Sequence, residues 1–259
     1  MKPLEFTQGT LPLLFSAPHA GTALTPEVEK GLSGAAKGLP DTDWHIPQLY
    51  DFVREMGASV LVANYSRFVI DLNRPPDNQA LYTTATTGLY PETLFDGTPT
   101  FKPGMTPTDA QRQGYLETIW TPYHDKIQQE LARIKQQFGY ALLFDAHSIA
   151  SVIPRLFDGK LPDLNLGTNG GLSCSPSITE KLTDLCAAQP DFSWVMNGRF
   201  KGGYITRAYG KPQDDQHAVQ LELAQVNYMD EEPPFNWRGD RAASLQPLLK
   251  KIIETILQR

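Results

Sequence analysis

Apolar positions along this chain fall into short unbroken runs that alternate with stripes at helical spacing. The runs 11–16, 59–64, 68–72, 140–145, 193–197 and 218–223 read as strands bounded by turn residues. Between them, Leu49, Phe52, Val53 and Met56 form one helical stripe, and helical patterns cover roughly 108–138 and 177–188. In the last helix, Leu245, Leu248, Leu249, Ile252, Ile253 and Ile256 recur at the helical period. Pro122 falls inside the long helical region and predicts a kink or division there. Strands alternating with helices predict an α/β fold, with a mixed, mostly parallel sheet covered by helices on both faces. No internal repeat and no boundary interrupts the pattern, so one domain is expected over residues 1–259.

Two stretches break the rhythm. Residues 74–109 and 157–176 are long and rich in Gly, Pro, Thr and Asn, which predicts ordered loops around a site. Two apolar runs also end alike: "LLFSAPHAG" and "YALLFDAHS" place His19 and His147 just past strands. Open α/β sheets bind ligands at the carboxyl ends of their strands. Two imidazoles and one carboxylate suit a catalytic zinc with an open position. The carboxylate could come from "LPDTDWHIPQLYDF", where Asp41, Asp43 and His45 crowd a helix start. The competing reading makes each strand-end histidine a packing or hydrogen-bonding residue. Of the others, His124 in "WTPYHDKIQQE" is expected on a helix surface, and His217 precedes the strand "AVQLELAQ".

Arginines give a second signal. "SRFVIDLNRPP" gathers Arg67, Asn73 and Arg74, and "GGYITRAYG" sets Arg207 beside Gly202 and Gly203. An arginine fork binds a carboxylate bidentately, and paired glycines let backbone approach a ligand closely. Ordinary salt bridging, such as Arg67 with Asp71, is the plainer alternative. Glu222 alternates with Val219, Leu221 and Leu223, which fits a solvated strand face; beside a metal-bound water it could instead take a proton.

Composition narrows the classes. The chain has 259 residues, 41% hydrophobic and 20% charged, with formal net charge −6. No basic block exists, so nucleic-acid binding is not expected, while a small anionic substrate is compatible with a few clustered arginines. Cys174 and Cys186 are the only cysteines and read as buried thiols. No run of about 18 apolar residues predicts a membrane span, and the N-terminal residues lack signal-peptide character. A cytoplasmic protein, monomeric or a small homo-oligomer, is expected.

Together "SAPHAG", "DTDWH", "SRFVIDLNRP", "LLFDAHS" and "GGYITRAYG…HAVQLELAQ" resemble, in order over about residues 11–230, the N-formylglutamate amidohydrolase (N-formylglutamate deformylase) family. That resemblance implies the fold of zinc carboxypeptidase-like exopeptidases. It also implies one divalent metal ion, zinc, held by His19, Asp43 and His147, with Glu222 as general base. Asn73 and Arg74 match a pair that binds a substrate carboxylate, and Arg207 is a candidate for a second one. The implied reaction is hydrolysis of N-formyl-L-glutamate to formate and L-glutamate, in histidine degradation. Three rivals remain at this point. One is a zinc amidohydrolase of the same fold acting on another N-acyl amino acid or peptide-like amide. The others are a non-haem iron oxygenase with the same ligand types and a non-catalytic binding protein.

Overall fold

The computed structural model describes residues 1–81 and 86–258; residues 82–85, within the stretch 74–109, lie outside the described residues. Strands β1 (Leu4–Thr7) and β2 (Leu13–Ala17) precede α1 (Pro26–Gly31), the short α2 (Ile46–Leu49) and α3 (Phe52–Met56), and β3 (Ser59–Ala63). Helix α4 (Asp109–Tyr115), a π-helical segment (Leu116–Trp120) and α5 (Thr121–Phe138) lead to β4 (Ala141–Ile149). Then follow β5 (Leu164–Gly167), α6 (Pro176–Ala187), β6 (Trp194–Met196), α7 (Tyr204–Tyr209), β7 (Gln216–Ala224) and α8 (Gly239–Leu257).

The seven strands form one mixed sheet in the order β1-β3-β2-β4-β7-β5-β6. Its centre is parallel, β3-β2-β4-β7, and β5 pairs parallel with β6. Strand β1 runs antiparallel to β3, and β5 antiparallel to β7. Because successive strand residues point to opposite faces, each central strand feeds two cores. Leu13, Phe15, Leu142, Phe144, Val219 and Leu221 face one side and pack with α2, α3, α6 and α8. Leu14, Leu61, Leu143 and Ala218 face the other, under α1, α4, α5 and α7. Helices therefore cover both faces, as the alternation predicts.

Three expectations need correction. Residues 68–72 form turns, not a strand: Phe68, Val69, Ile70 and Leu72 are buried, but Val69 N–H bonds the Ser66 carbonyl and Asp71 N–H that of Leu89. An apolar run reports burial, and here the burial is that of a loop wedged beneath helices. The stretch 157–176 is not wholly loop, since its "LNLG" pairs with β7 as β5. Strand β4 does not stop at Asp145 but continues to Ile149, so His147 lies within it.

The long helical region is divided just ahead of Pro122, into α4 and α5 joined by a π-helical turn, as the sequence predicts. Proline has no N–H to bond the carbonyl four residues back and crowds that carbonyl. Here the preceding turn widens to a π-helical one, with Thr121 N–H reaching back to the Leu116 carbonyl. Helical backbone is continuous across that turn.

Candidate metal centre and its pocket

The site lies at the carboxyl ends of β2, β4 and β7, on the sheet face that carries α5 and α7. On β4, Asp145 and His147 alternate with the core residues Phe144 and Ala146, so both point to this face. On β7, Gln220 and Glu222 do the same between Val219, Leu221 and Leu223. Parallel pairing places His147 directly beside Glu222. His19 follows β2 by two residues, and the backbone N–H of Asp43 donates to the His19 carbonyl (3.1 Å), which brings the approach to α2 alongside.

His19, Asp43 and His147 converge: one potential ligand atom from each lies within 4.8 Å of the others, and all three side chains are buried. Both imidazoles turn Nδ1 toward Asp43 Oδ2, at 3.8 Å for His19 and 3.1 Å for His147. Each is fixed through its other nitrogen by a second carboxylate, His19 Nε2 to Asp71 (2.7 Å) and His147 Nε2 to Asp145 (2.9 Å). Carboxylates that hold the outer nitrogen set the tautomer and orientation of metal-binding histidines. Asp43 Oδ1 is buried without a hydrogen-bond partner among the described residues, an arrangement that costs free energy unless something fills it. These residues could hold a metal ion.

The surrounding network is dense. Arg67 Nη2 pairs with Asp71 (2.6 Å), which is the salt bridge anticipated from sequence, and its guanidinium lies over the Phe95 ring. Burial opposes ionisation of Asp71, but His19 and Arg67 outweigh it and hold the carboxyl well below its usual range. Burial and the Arg67 charge keep His19 below the ordinary imidazole value. His147 is the converse: burial lowers it, yet Asp145 and Asp43 raise it well above that value. Burial pushes Glu222 up to about 7, with His147 pulling it down and Asp43 adding to the rise. The carboxylates here thus attract positive charge.

Asn73 is shared between pocket and scaffold. Its Oδ1 accepts from the Ile205 N–H (2.8 Å), capping α7, which assigns its Nδ2 to the side facing Asp145 (3.4 Å) and the His147 ring. Gly203 packs so close that a Cβ there would sit 2.3 Å from Asn73 Nδ2. The close approach expected of Gly202 and Gly203 is therefore to protein: Gly203 to this amide and Gly202 to Thr206. Gly203 N–H donates to Gln220 (2.8 Å), and Gln220 in turn donates to Glu222 (3.3 Å).

His19, Arg67, Asn73, Arg74, His147, Gln220 and Glu222 line one pocket, together with Phe95, Ile149, Leu156 and Arg199. Arg74 is held against the segment after the undescribed residues, by Thr87 O (2.7 Å) and Thr86 Oγ1 (3.1 Å). Arg207 is not among the lining residues; its Nε donates to the Gly202 carbonyl (2.8 Å). Arg199 enters the pocket instead, its Nε anchored on the Leu156 carbonyl (2.9 Å). Sequence reasoning missed it, although "NGRF" follows the run 193–197 just as "NRPP" follows 68–72.

The remaining histidines stand apart. His45 donates from Nε2 to the Phe235 carbonyl (2.7 Å). His217 is the second residue of β7, five residues before Glu222. His124, expected at the surface, is 1% exposed and bonds the Leu72 carbonyl and the Tyr209 hydroxyl (both 2.9 Å). The pattern misled because α5 is covered by loop 68–74 as well as by the sheet. Among the described residues no helix is long and apolar enough to cross a membrane.

Comparison with known proteins shows the family and the fold. N-formylglutamate deformylases of Pseudomonas aeruginosa and Pseudomonas putida are 58% and 59% identical, over 98% and 99% of this chain and 96% of each relative. The crystal structure of N-formylglutamate amidohydrolase from Ralstonia eutropha superposes with a TM-score of 0.84 at 22% identity, covering 100% of this chain and 98% of that one, and shows the same fold. The profile of the N-formylglutamate amidohydrolase family matches residues 11–229, which takes in every residue of the centre described above. The chain belongs to the N-formylglutamate amidohydrolase family.

Proposed function

We propose that this protein hydrolyses N-formyl-L-glutamate to formate and L-glutamate, with a divalent ion, zinc, in the His19–Asp43–His147 group. The carrying observation is the register of β4 and β7, which sets Glu222 beside His147 in a pocket lined by Arg67, Arg74 and Arg199. A metal ion there would polarise the formyl oxygen and acidify a water. Glu222 would take a proton from that water as its oxygen bonds to the formyl carbon, and deliver it to the nitrogen as the C–N bond breaks. The amine and formic acid so formed end as L-glutamate and formate once the acid's proton passes to the amine. A carboxyl raised to about 7 suits both halves of that transfer at neutral pH.

The substrate is a dianion. Arg74 and Arg199 approach the pocket from different segments, one held by Thr86 and Thr87 and the other by Leu156. In this reading Arg74, with Asn73 beside it, takes the α-carboxylate, and Arg199, in place of Arg207, takes the side-chain carboxylate. Arg67, committed to Asp71, contributes field more than contact. In this reading the protein acts in histidine degradation, in the cytoplasm. The reading is tested by formate release from N-formylglutamate together with metal analysis of the purified protein. Absence of both formate release and bound metal would refute it.

A further inference from the structure

The π-helical turn ahead of Pro122 aims one helix face at the segment 72–74. Trp120 closes that turn and is 8% exposed. Its indole Nε1 donates to the Arg74 carbonyl (3.0 Å). His124, one turn later, points Nε2 at the Leu72 carbonyl (2.9 Å). That contact requires the proton on Nε2, so Nδ1 accepts from the Tyr209 hydroxyl (2.9 Å). The two rings stack on each other, with centroids 3.7 Å apart and planes at 24°. The carbonyls they grip belong to the residues on either side of Asn73. Residues 68–74 have no strand partner to fix them, so these two donors hold the segment from the helix side, while Asp71 accepts from the Asn73 N–H (2.8 Å) and the start of α7 donates to Asn73 from the other.

We infer that Trp120 and His124 are positioning residues for the Asn73–Arg74 arm, and that the π-helical turn exists to present them to it. Neither ring lines the pocket, so both act through Asn73 and Arg74. A π-turn shifts every later side chain around the helix relative to an unbroken α-helix, and this one does so immediately before the stacked pair. The kinetic side of the inference rests on the carboxylate role proposed for Arg74; the geometric side does not.

The test uses full-length, metal-loaded protein with Trp120→Phe, His124→Leu and His124→Gln. Phenylalanine keeps an aromatic ring and removes the indole donor, while the glutamine amide can replace Nε2. Trp120→Phe and His124→Leu should raise KM for N-formylglutamate roughly 3- to 30-fold, as expected for one lost hydrogen bond, with kcat nearly unchanged. His124→Gln should recover most of the loss. In an Arg74→Ala background, Trp120→Phe should cost clearly less than it does in wild type, because only Asn73 is left to position. Hydrogen exchange at the Asn73 and Arg74 amides should quicken in Trp120→Phe, whatever the substrate is. Additive losses with Arg74→Ala, or unchanged exchange at those two amides, would overturn the inference. A wild-type protein inert toward N-formylglutamate would sink the proposed function instead, and the exchange measurement would still decide this one.

Discussion

Glu222 shows how one residue can satisfy two incompatible patterns. Its alternation with Val219, Leu221 and Leu223 suits a solvated strand face, yet it is 8% exposed and faces a buried polar pocket. Alternation says which side of a sheet a residue points to, not what lies there. Glu222→Gln removes the proton acceptor while keeping shape, so metal content should stay at the wild-type level and kcat should fall roughly 10²- to 10⁴-fold. A near-wild-type kcat would move the role elsewhere, and His217 could not inherit it, being about 16 Å back along β7. His19 and the helix start that carries Asp43 were legible as ligand positions, though only the family resemblance picked Asp43 over Asp41, and His147 lies inside β4 rather than past its end. Asp71 and Asp145, which orient the two histidines, carried no such mark, since a carboxylate inside an apolar run could pair with anything. Gly203 was legible as a close approach, though not as one to Asn73. Gly203→Ala would force a Cβ against that amide, and urea melts should show a loss of about 1–3 kcal/mol.

At the scale of elements, the sheet core followed from apolar runs and the outer helices from periodicity. Loops were read less well. The run 68–72 looked like a strand because it is buried, and β5 was hidden by the glycines and asparagines around it. His124 was misplaced for the same reason: nothing local announces that a loop will cover that face of α5. Its burial has a measurable consequence. Burial depresses His124 to about 3 although the Leu72 carbonyl opposes the shift, so the folded state holds it neutral where the unfolded chain protonates it near pH 6.5. Stability from this group is fully present above about pH 6.5 and declines as pH falls toward 3, by at most about 1.4 kcal/mol per pH unit. Urea titrations of wild type and His124→Gln across that range should therefore diverge, with the variant less acid-sensitive; parallel curves would contradict the assignment. The same helix also braces the metal group. Tyr123 donates to Ser16 (3.1 Å), and Ser16 to Asp145 (3.1 Å), behind His147. Tyr123→Phe should loosen metal retention against a chelator by roughly 10-fold, the lower end for groups behind metal ligands.

For the whole molecule, net charge −6 and an anionic substrate are reconciled by local arrangement. Three arginines reach one pocket, Arg67 and Arg74 from one segment and Arg199 from another far along the chain, and only the fold reveals that Arg199 lines it with Arg74 while Arg207 is not among its lining residues. Arg74→Ala should lower kcat/KM by one to two orders of magnitude on every N-formyl amino acid, at about 1.5–3 kcal/mol per charged hydrogen bond. Arg74→Lys should recover part of it, having charge without the planar fork. Arg199→Gln should instead erase the preference for N-formylglutamate over N-formylglutamine. The measurement that bears most directly on the account is formate release by the wild-type protein from N-formylglutamate, N-formylglutamine and N-formylleucine, before chelation, after it, and after zinc is restored. The account predicts strong preference for N-formylglutamate, loss of all activity on chelation, and recovery with zinc. Equal rates on the three substrates, or activity indifferent to the chelator, would contradict it.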